Sequence, residues 1–131
     1  MARNILAVIV AAIWINISEF FRNGYWLNSD WTGHYRSLGL VFPAQPVNGA
    51  VWGLWGLLFA IAIYFTGRHV AAPRAPLLAT TALAWLYGFV LMWIVTWNLG
   101  VLPLRILVFA VPLSILEAFV AAVIIKRLQA D

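Results

Sequence analysis

Charged residues and cysteine are the scarcest features of this chain. Of its 131 residues only 9% are charged, and none is cysteine. Soluble domains carry about 25% charged residues, so this chain has too few to cover a surface in water. With 65% hydrophobic residues, its natural solvent is lipid. The absence of cysteine excludes disulfides, thiol redox chemistry and thiolate metal sites.

Runs of basic residues are also absent. The net charge is +4, but the lysines and arginines occur singly or in pairs, and no basic helix face is present. Positively charged loops of a membrane protein explain this balance better than nucleic-acid binding. We therefore expect no nucleic-acid partner.

Motifs for metals, cofactors and covalent chemistry are missing as well. The two histidines, His34 and His69, are predicted on opposite sides of a membrane, so they cannot share a metal or a haem within one protomer. Neither a nucleophile elbow nor a phosphate loop is present. The single lysine, Lys126, is near the terminus and cannot form a Schiff base inside a bundle. We expect no metal and no cofactor.

What the sequence does contain is four long apolar segments, at about residues 5–21, 48–66, 76–97 and 101–125. About 20 residues are needed to cross a bilayer, and helices satisfy their own backbone hydrogen bonds in lipid. The sequence therefore predicts an all-α integral membrane four-helix bundle, a single polytopic domain over residues 1–131. No small-residue cleavage site follows the first segment, so we expect it to be retained as a span rather than removed as a signal peptide.

The distribution of basic residues predicts the orientation. An even number of spans places both termini and the second loop on one side. The basic residues on that side are Arg3, Arg68, Arg74, Lys126 and Arg127. Those on the other side are Arg22, Arg36 and Arg105. The positive-inside rule then places both termini in the cytoplasm, and the predicted location is the bacterial cytoplasmic membrane.

The outer loop, residues 22–47, is predicted to contain a short amphipathic helix. Ser29 or Asp30 is a suitable N-cap, and Gly39 is a suitable stop. One helical face between them carries Trp31, His34, Tyr35 and Leu38. Such a helix is typical of the membrane interface, with its aromatic rings at headgroup level.

Two stripes of small residues predict close helix packing. The stripe in the second span consists of Gly49, Gly53, Gly56 and Ala60. The stripe in the fourth span consists of Ala110, Ser114 and Ala121, with Glu117 among them. The pattern does not distinguish contacts within one chain from contacts between chains.

Glu117 is the sharpest anomaly in the apolar segments. A charged residue near the middle of a span costs about 2.5–3.5 kcal/mol or more, so we expect it to face protein and to donate a hydrogen bond as a neutral acid. Its expected partner is an indole, phenol or amide from another span. It is either a functional group, as a proton or cation relay or a ligand contact, or a packing device that hydrogen-bonds across the bundle.

A second group of polar and aromatic residues is predicted at the outer ends of the spans. Its members are Glu19, Arg22, Trp31, His34, Asn48, Trp52, Trp97, Asn98 and Arg105. They form either a shallow amphipathic ligand pocket or an interfacial aromatic belt in which ion pairs fix the loop.

Three functional classes remain open at this stage. The favoured one is a non-enzymatic accessory or scaffold protein that packs with its own copies or with a larger membrane complex. The second is a carrier or binding protein for a lipid or small amphiphile. The third is a membrane enzyme that uses Glu19 and His34 for acid–base chemistry. A cavity that reaches the polar residues would favour the second, and contact of His34 with a carboxylate would favour the third.

Overall fold

Helices account for all the regular structure in the part of the chain that the structure describes. The computed structural model describes residues 1–70 and 76–129. Its helices are α1 (Ala2–Trp26), α2 (Asn28–Ser37), α3 (Pro46–Val70), α4 (Pro76–Asn98) and α5 (Leu104–Leu128). The prediction of an all-α fold is thereby confirmed.

Four of these helices, α1, α3, α4 and α5, have 23 to 25 residues and are apolar enough to cross a membrane. They indicate an integral membrane protein. Successive long helices run antiparallel, so that α2 and the α4–α5 connection share one end of the bundle, called here the α2 end. The first and last described residues, Met1 and Gln129, lie at the other end, where Arg3 donates a hydrogen bond to the backbone oxygen of Gln129. Arg74, one of the basic residues used to predict the orientation, lies outside the described residues.

The first long helix continues beyond its predicted end. It was expected to stop near residue 21, but it runs to Trp26 through a wider π-helical segment, Phe20–Trp26. The N–H of Leu27 donates to the carbonyl of Arg22 at 2.8 Å, which is the i to i−5 spacing of a π-helix. The prediction that the outer loop begins at Arg22 was therefore wrong: Arg22 lies within the helix and is buried, because carboxylates inside the bundle neutralise its charge.

The short helix α2 begins at Asn28, with Leu27 at the N-cap position and no side-chain cap. The predicted cap at Ser29 or Asp30 is therefore wrong by two or three residues. Its end agrees with prediction, because Gly39 has a φ of +72°, a conformation that glycine adopts without steric cost.

Helix α1 packs against both α3 and α5, and α4 packs against α5. Helix α1 lies close to α3 at Gly56, where a Cβ atom would lie 2.5 Å from Nδ2 of Asn16. Within the glycine stripe, Gly56 and Ala60 are buried and the backbone oxygen of Gly53 accepts a hydrogen bond from Asn16 at 3.5 Å, whereas Gly49 has open space beside it. In α5 the small residues Ala110, Ser114 and Ala121 are all buried.

An aromatic cluster joins α3 to α4. The ring of Phe59 stacks on Trp55 and meets Phe89 edge to face. Gly88 makes room for this contact, because a Cβ there would lie 2.5 Å from the Phe59 ring. Phe89 belongs to a second π-helical segment, Leu86–Val90. It is the largest fully buried side chain among the described residues.

Candidate functional site

Three ionisable side chains meet inside the bundle near the α2 end, and we call Glu19, Arg22 and Glu117 the ion cluster. Nη1 of Arg22 donates to Oε2 of Glu117 at 2.9 Å. Nη2 of the same guanidinium is paired with Oε1 of Glu19. The Arg22 side chain is 4% exposed and that of Glu117 is 0% exposed, so these charges interact with little screening by solvent.

Neutral donors surround the two carboxylates. Ser18 Oγ donates to Oε2 of Glu117 at 2.6 Å, and Asn23 Nδ2 donates to Oε2 of Glu19 at 2.7 Å. Both contacts on Glu117 fall on the same oxygen. Its other oxygen, Oε1, is buried and has no hydrogen-bond partner among the described residues. Since buried polar atoms are nearly always hydrogen-bonded, this orphaned atom is unusual.

An aromatic ring covers the guanidinium from the α4 side. The centroid of the Phe89 ring lies 5.1 Å from Cζ of Arg22, within the range at which a cation is attracted to the face of an aromatic ring. The cluster therefore combines charges from α1 and α5 with an aromatic face from α4. Two π-helical segments contribute to it, one through Arg22 and the other through Phe89.

A chain of hydrogen bonds connects the ion cluster to α2. Oδ1 of Asn23 accepts a hydrogen bond from Nε1 of Trp31 at 3.0 Å, while the amide of the same Asn23 donates to Glu19. Two further contacts tie α2 to the beginning of α5 and the α4–α5 connection. Asp30 pairs with Arg105 at 2.8 Å, and Nε2 of His34 lies 2.9 Å from the backbone oxygen of Gly100.

A groove of about 290 Å³ runs between α1 and α5 beside the ion cluster, and we call it the α1–α5 groove. Its lining consists of Trp14, Ile17, Ser18, Phe21, Arg22, Trp26, Leu113, Leu116 and Glu117. Ile17, Phe21, Trp26 and Leu116 are exposed, so the groove opens on the outer surface of the bundle. Its walls are aromatic and aliphatic, and its polar members belong to the ion cluster or donate to it.

The nine residues predicted to form either an outer pocket or an interfacial belt lie in separate groups. Glu19, Arg22 and Trp31 are linked through Asn23. Asn48 instead caps α3, where its Oδ1 accepts the backbone N–H of Gln45. The remaining aromatic and polar members at the ends of α3 and α4, Trp52, Trp97 and Asn98, are exposed.

The partner expected for Glu117 is also corrected. The carboxylate accepts hydrogen bonds from Arg22 and Ser18, and not from an indole, phenol or amide. An indole is present nearby, but Nε1 of Trp14 donates to the backbone oxygen of Glu117 at 3.1 Å. The Trp85 indole donates one turn earlier in α5, to Ser114 at 2.9 Å.

Several members of the site had no signal in the sequence. Ser18, Asn23 and Phe89 are common residue types in membrane helices, and their roles depend on which helices are neighbours. Asn16, Glu19 and Asn23 are spaced three and four residues apart, which places them on one helical face, and this spacing is a signal that could have pointed toward Asn23.

No group of three or more histidine, aspartate and glutamate side chains within the described residues could hold a metal ion. Comparisons of the chain with family models, with curated proteins and with solved structures give no match.

Proposed function

We propose that this protein is an integral membrane binding protein for a lipid or small amphiphile, and that the α1–α5 groove holds the ligand. The observation that carries the proposal is the position of the ion cluster beside an apolar groove that is open to the outside of the bundle. An amphiphile entering from the bilayer would place its apolar part along Ile17, Leu113 and Leu116. Its polar end would then reach Glu117.

The size and chemistry of the groove support this reading. Ligand pockets are mostly apolar, with a few placed polar groups, and have volumes of about 300–1,000 Å³. At about 290 Å³, the groove is at the lower limit and suits a small amphiphile or the end of a lipid. The orphaned oxygen of Glu117 supplies a polar group with capacity for one more hydrogen bond.

The two other functional classes have less support. Acid–base catalysis by Glu19 and His34 requires the two side chains to act together. Glu19 is paired with Arg22 and Asn23, whereas His34 contacts the backbone oxygen of Gly100. A scaffold role rested on the small-residue stripes, and Gly56, Ala60 and the small residues of α5 are already used for packing within the chain.

The membrane arrangement completes the proposal. Both termini lie in the cytoplasm, and α2 lies in the outer interface of the bacterial cytoplasmic membrane. The basic residues at the end of the bundle opposite α2 support this orientation. The burial pattern of α2 supports its position, because Trp31, His34 and Tyr35 are half-buried while Arg36 and Ser37 are exposed. The groove then opens toward the outer leaflet.

Photolabelling with a dodecyl probe that carries a diazirine in its chain tests the binding site. The protein is purified in non-ionic detergent, irradiated at increasing probe concentrations, and digested for mass spectrometry. We expect labelling of the peptides that contain Ile17 and Leu116 to saturate and to be competed by excess unlabelled dodecyl compound. Labelling around Leu54, which is exposed on α3 outside the groove, should rise linearly.

A matched pair of variants provides the control. Leu116 is 52% exposed and lines the groove, whereas Leu54 is 54% exposed and does not. Leu116→Trp fills the groove and should remove the saturable labelling, and Leu54→Trp should preserve it. Linear, non-competed labelling at every exposed leucine would overturn the proposal, and so would saturable labelling that survives Leu116→Trp.

A further inference from the structure

The charges of the ion cluster do not balance. Two carboxylates, Glu19 and Glu117, share one guanidinium, Arg22, and their other side-chain partners, Ser18 and Asn23, are neutral. With both carboxylates ionised, the cluster carries one more negative charge than positive. An uncompensated charge in a bundle surrounded by lipid is costly. The cluster therefore requires one more positive charge, which either a proton on one of the two carboxyl groups or a bound cation can supply.

The geometry indicates where that charge belongs. Of the four carboxylate oxygens, three are occupied: Oε1 of Glu19 by Arg22, Oε2 of Glu19 by Asn23, and Oε2 of Glu117 by Arg22 and Ser18. The fourth, Oε1 of Glu117, has no partner among the described residues. Glu117 is also the carboxylate that lines the α1–α5 groove. Because this oxygen is buried, a cationic donor entering from the groove must displace the side chains that cover it, and it would then satisfy the orphaned oxygen and balance the charge together.

The groove itself suits a cation with an apolar body. Three aromatic residues, Trp14, Phe21 and Trp26, line it, and aromatic faces attract ammonium groups. Resting on the proposed function, we infer that the ligand is an amphiphile with a protonated amine as its polar end. Its N–H group donates to Oε1 of Glu117, its positive charge balances the ion cluster, and its apolar part lies against Ile17, Leu113 and Leu116.

Three probes with the same chain separate the contributions of charge and hydrogen bonding. Dodecylamine is a cation with N–H donors, dodecanol is a neutral donor, and dodecyltrimethylammonium is a cation without a donor. Binding of tritiated dodecylamine and tritiated dodecanol to the detergent-purified protein is measured by scintillation proximity at pH 7, with unlabelled competitors. We expect dodecylamine to bind at least about tenfold more tightly than either other compound, which corresponds to about 1.4 kcal/mol.

Two variants test the origin of this preference. Glu117→Gln and Glu19→Gln each leave one carboxylate opposite Arg22, so both clusters are electrically balanced and should fold. Each should reduce the affinity for dodecylamine at least about tenfold. In Glu19→Gln, whose altered side chain does not line the groove, binding of dodecanol should change little. The loss should be larger for Glu117→Gln, because only Glu117 lines the groove.

The possible outcomes distinguish this inference from the proposed function. In one outcome, dodecanol and dodecylamine bind equally and neither binds to Leu116→Trp. The groove then binds amphiphiles, but the inferred preference for an amine is wrong, and a proton balances the cluster instead. If neither probe binds, or if Leu116→Trp has no effect on either, the proposed function itself is overturned. If Glu117→Gln and Glu19→Gln bind dodecylamine as tightly as the wild type does, the inferred amine preference is likewise wrong, while the proposed function stands.

Discussion

Replacing Arg22 by methionine tests how strongly the ion cluster determines the stability of the bundle. Methionine retains most of the length of the side chain but leaves two carboxylates without their cation. Removing one partner of a buried ion pair lowers the free energy of unfolding by about 3–5 kcal/mol. Loss of the contact between Arg22 and the Phe89 ring lowers it further, by about 0.5–2 kcal/mol. We therefore expect Arg22→Met to lower the free energy of unfolding by at least about 3 kcal/mol.

The matched variant combines Arg22→Met with Glu19→Gln and Glu117→Gln. It carries no charge in the cluster, and replacement of a whole buried ion group by neutral residues is often nearly neutral for stability. Unfolding is followed by circular dichroism as sodium dodecyl sulfate is added to the protein in a non-ionic detergent. The triple variant should recover most of the loss. If Arg22→Met unfolds at the same detergent composition as the wild type, or if the triple variant is no more stable than Arg22→Met, the cluster is not compensated in the way described.

Two more predictions concern packing and topology. Gly56→Leu should lower the free energy of unfolding by about 1–3 kcal/mol, because even a Cβ there would lie 2.5 Å from Asn16. The control Gly49→Leu, with open space around it, should change it by no more than about 0.5 kcal/mol. Equal effects of the two variants in the same detergent titration would contradict the close packing of α1 and α3. For topology, a cysteine introduced at Ser37 should react with an impermeant thiol reagent added to whole cells. A cysteine introduced at Gln129 should react only after the cells are permeabilised. The reverse pattern would overturn the proposed orientation.

The long helices could be predicted because their signal is local. A run of about 20 apolar residues identifies a spanning helix whatever its neighbours are, and the structure has four such helices at the predicted places. Their ends were less predictable. A charged residue such as Arg22 normally marks the end of a span, and it is buried here only because carboxylates on its own helix and on α5 neutralise it.

The ion cluster was only partly predictable for the same reason. Glu117 stood out because a carboxylate is rare inside an apolar segment, and Glu19 and Arg22 stood out as polar residues at the end of one. Nothing in the sequence placed Glu117 at the same depth as the other two, since depth depends on how far each helix extends. Phe89 was one of eight phenylalanines, and only the packing of α4 against the bundle distinguishes it from the others.

Burial, and not distance, should decide the contribution of an ion pair in this protein. The pairs Arg22–Glu117 and Arg105–Asp30 have nearly equal lengths, 2.9 Å and 2.8 Å. The Arg22 side chain is 4% exposed, however, and that of Arg105 is 82% exposed. Solvent screens an exposed pair, and such pairs contribute about 0.2–1 kcal/mol. A long exposed side chain also loses conformational freedom when it is held in one geometry.

We therefore expect Arg105→Met to lower the free energy of unfolding by no more than about 1 kcal/mol, against at least about 3 kcal/mol for Arg22→Met. The effect of Arg105→Met should shrink further as salt is raised, because ions screen charges at the surface, while that of Arg22→Met should change little. Both variants are measured in the same detergent titration at low and at high sodium chloride. Two results would contradict this expectation: a loss from Arg105→Met as large as that from Arg22→Met, or a loss that does not change with salt. Either would show that the Arg105–Asp30 pair is shielded from solvent and holds α2 against the bundle as firmly as the ion cluster joins α1 to α5.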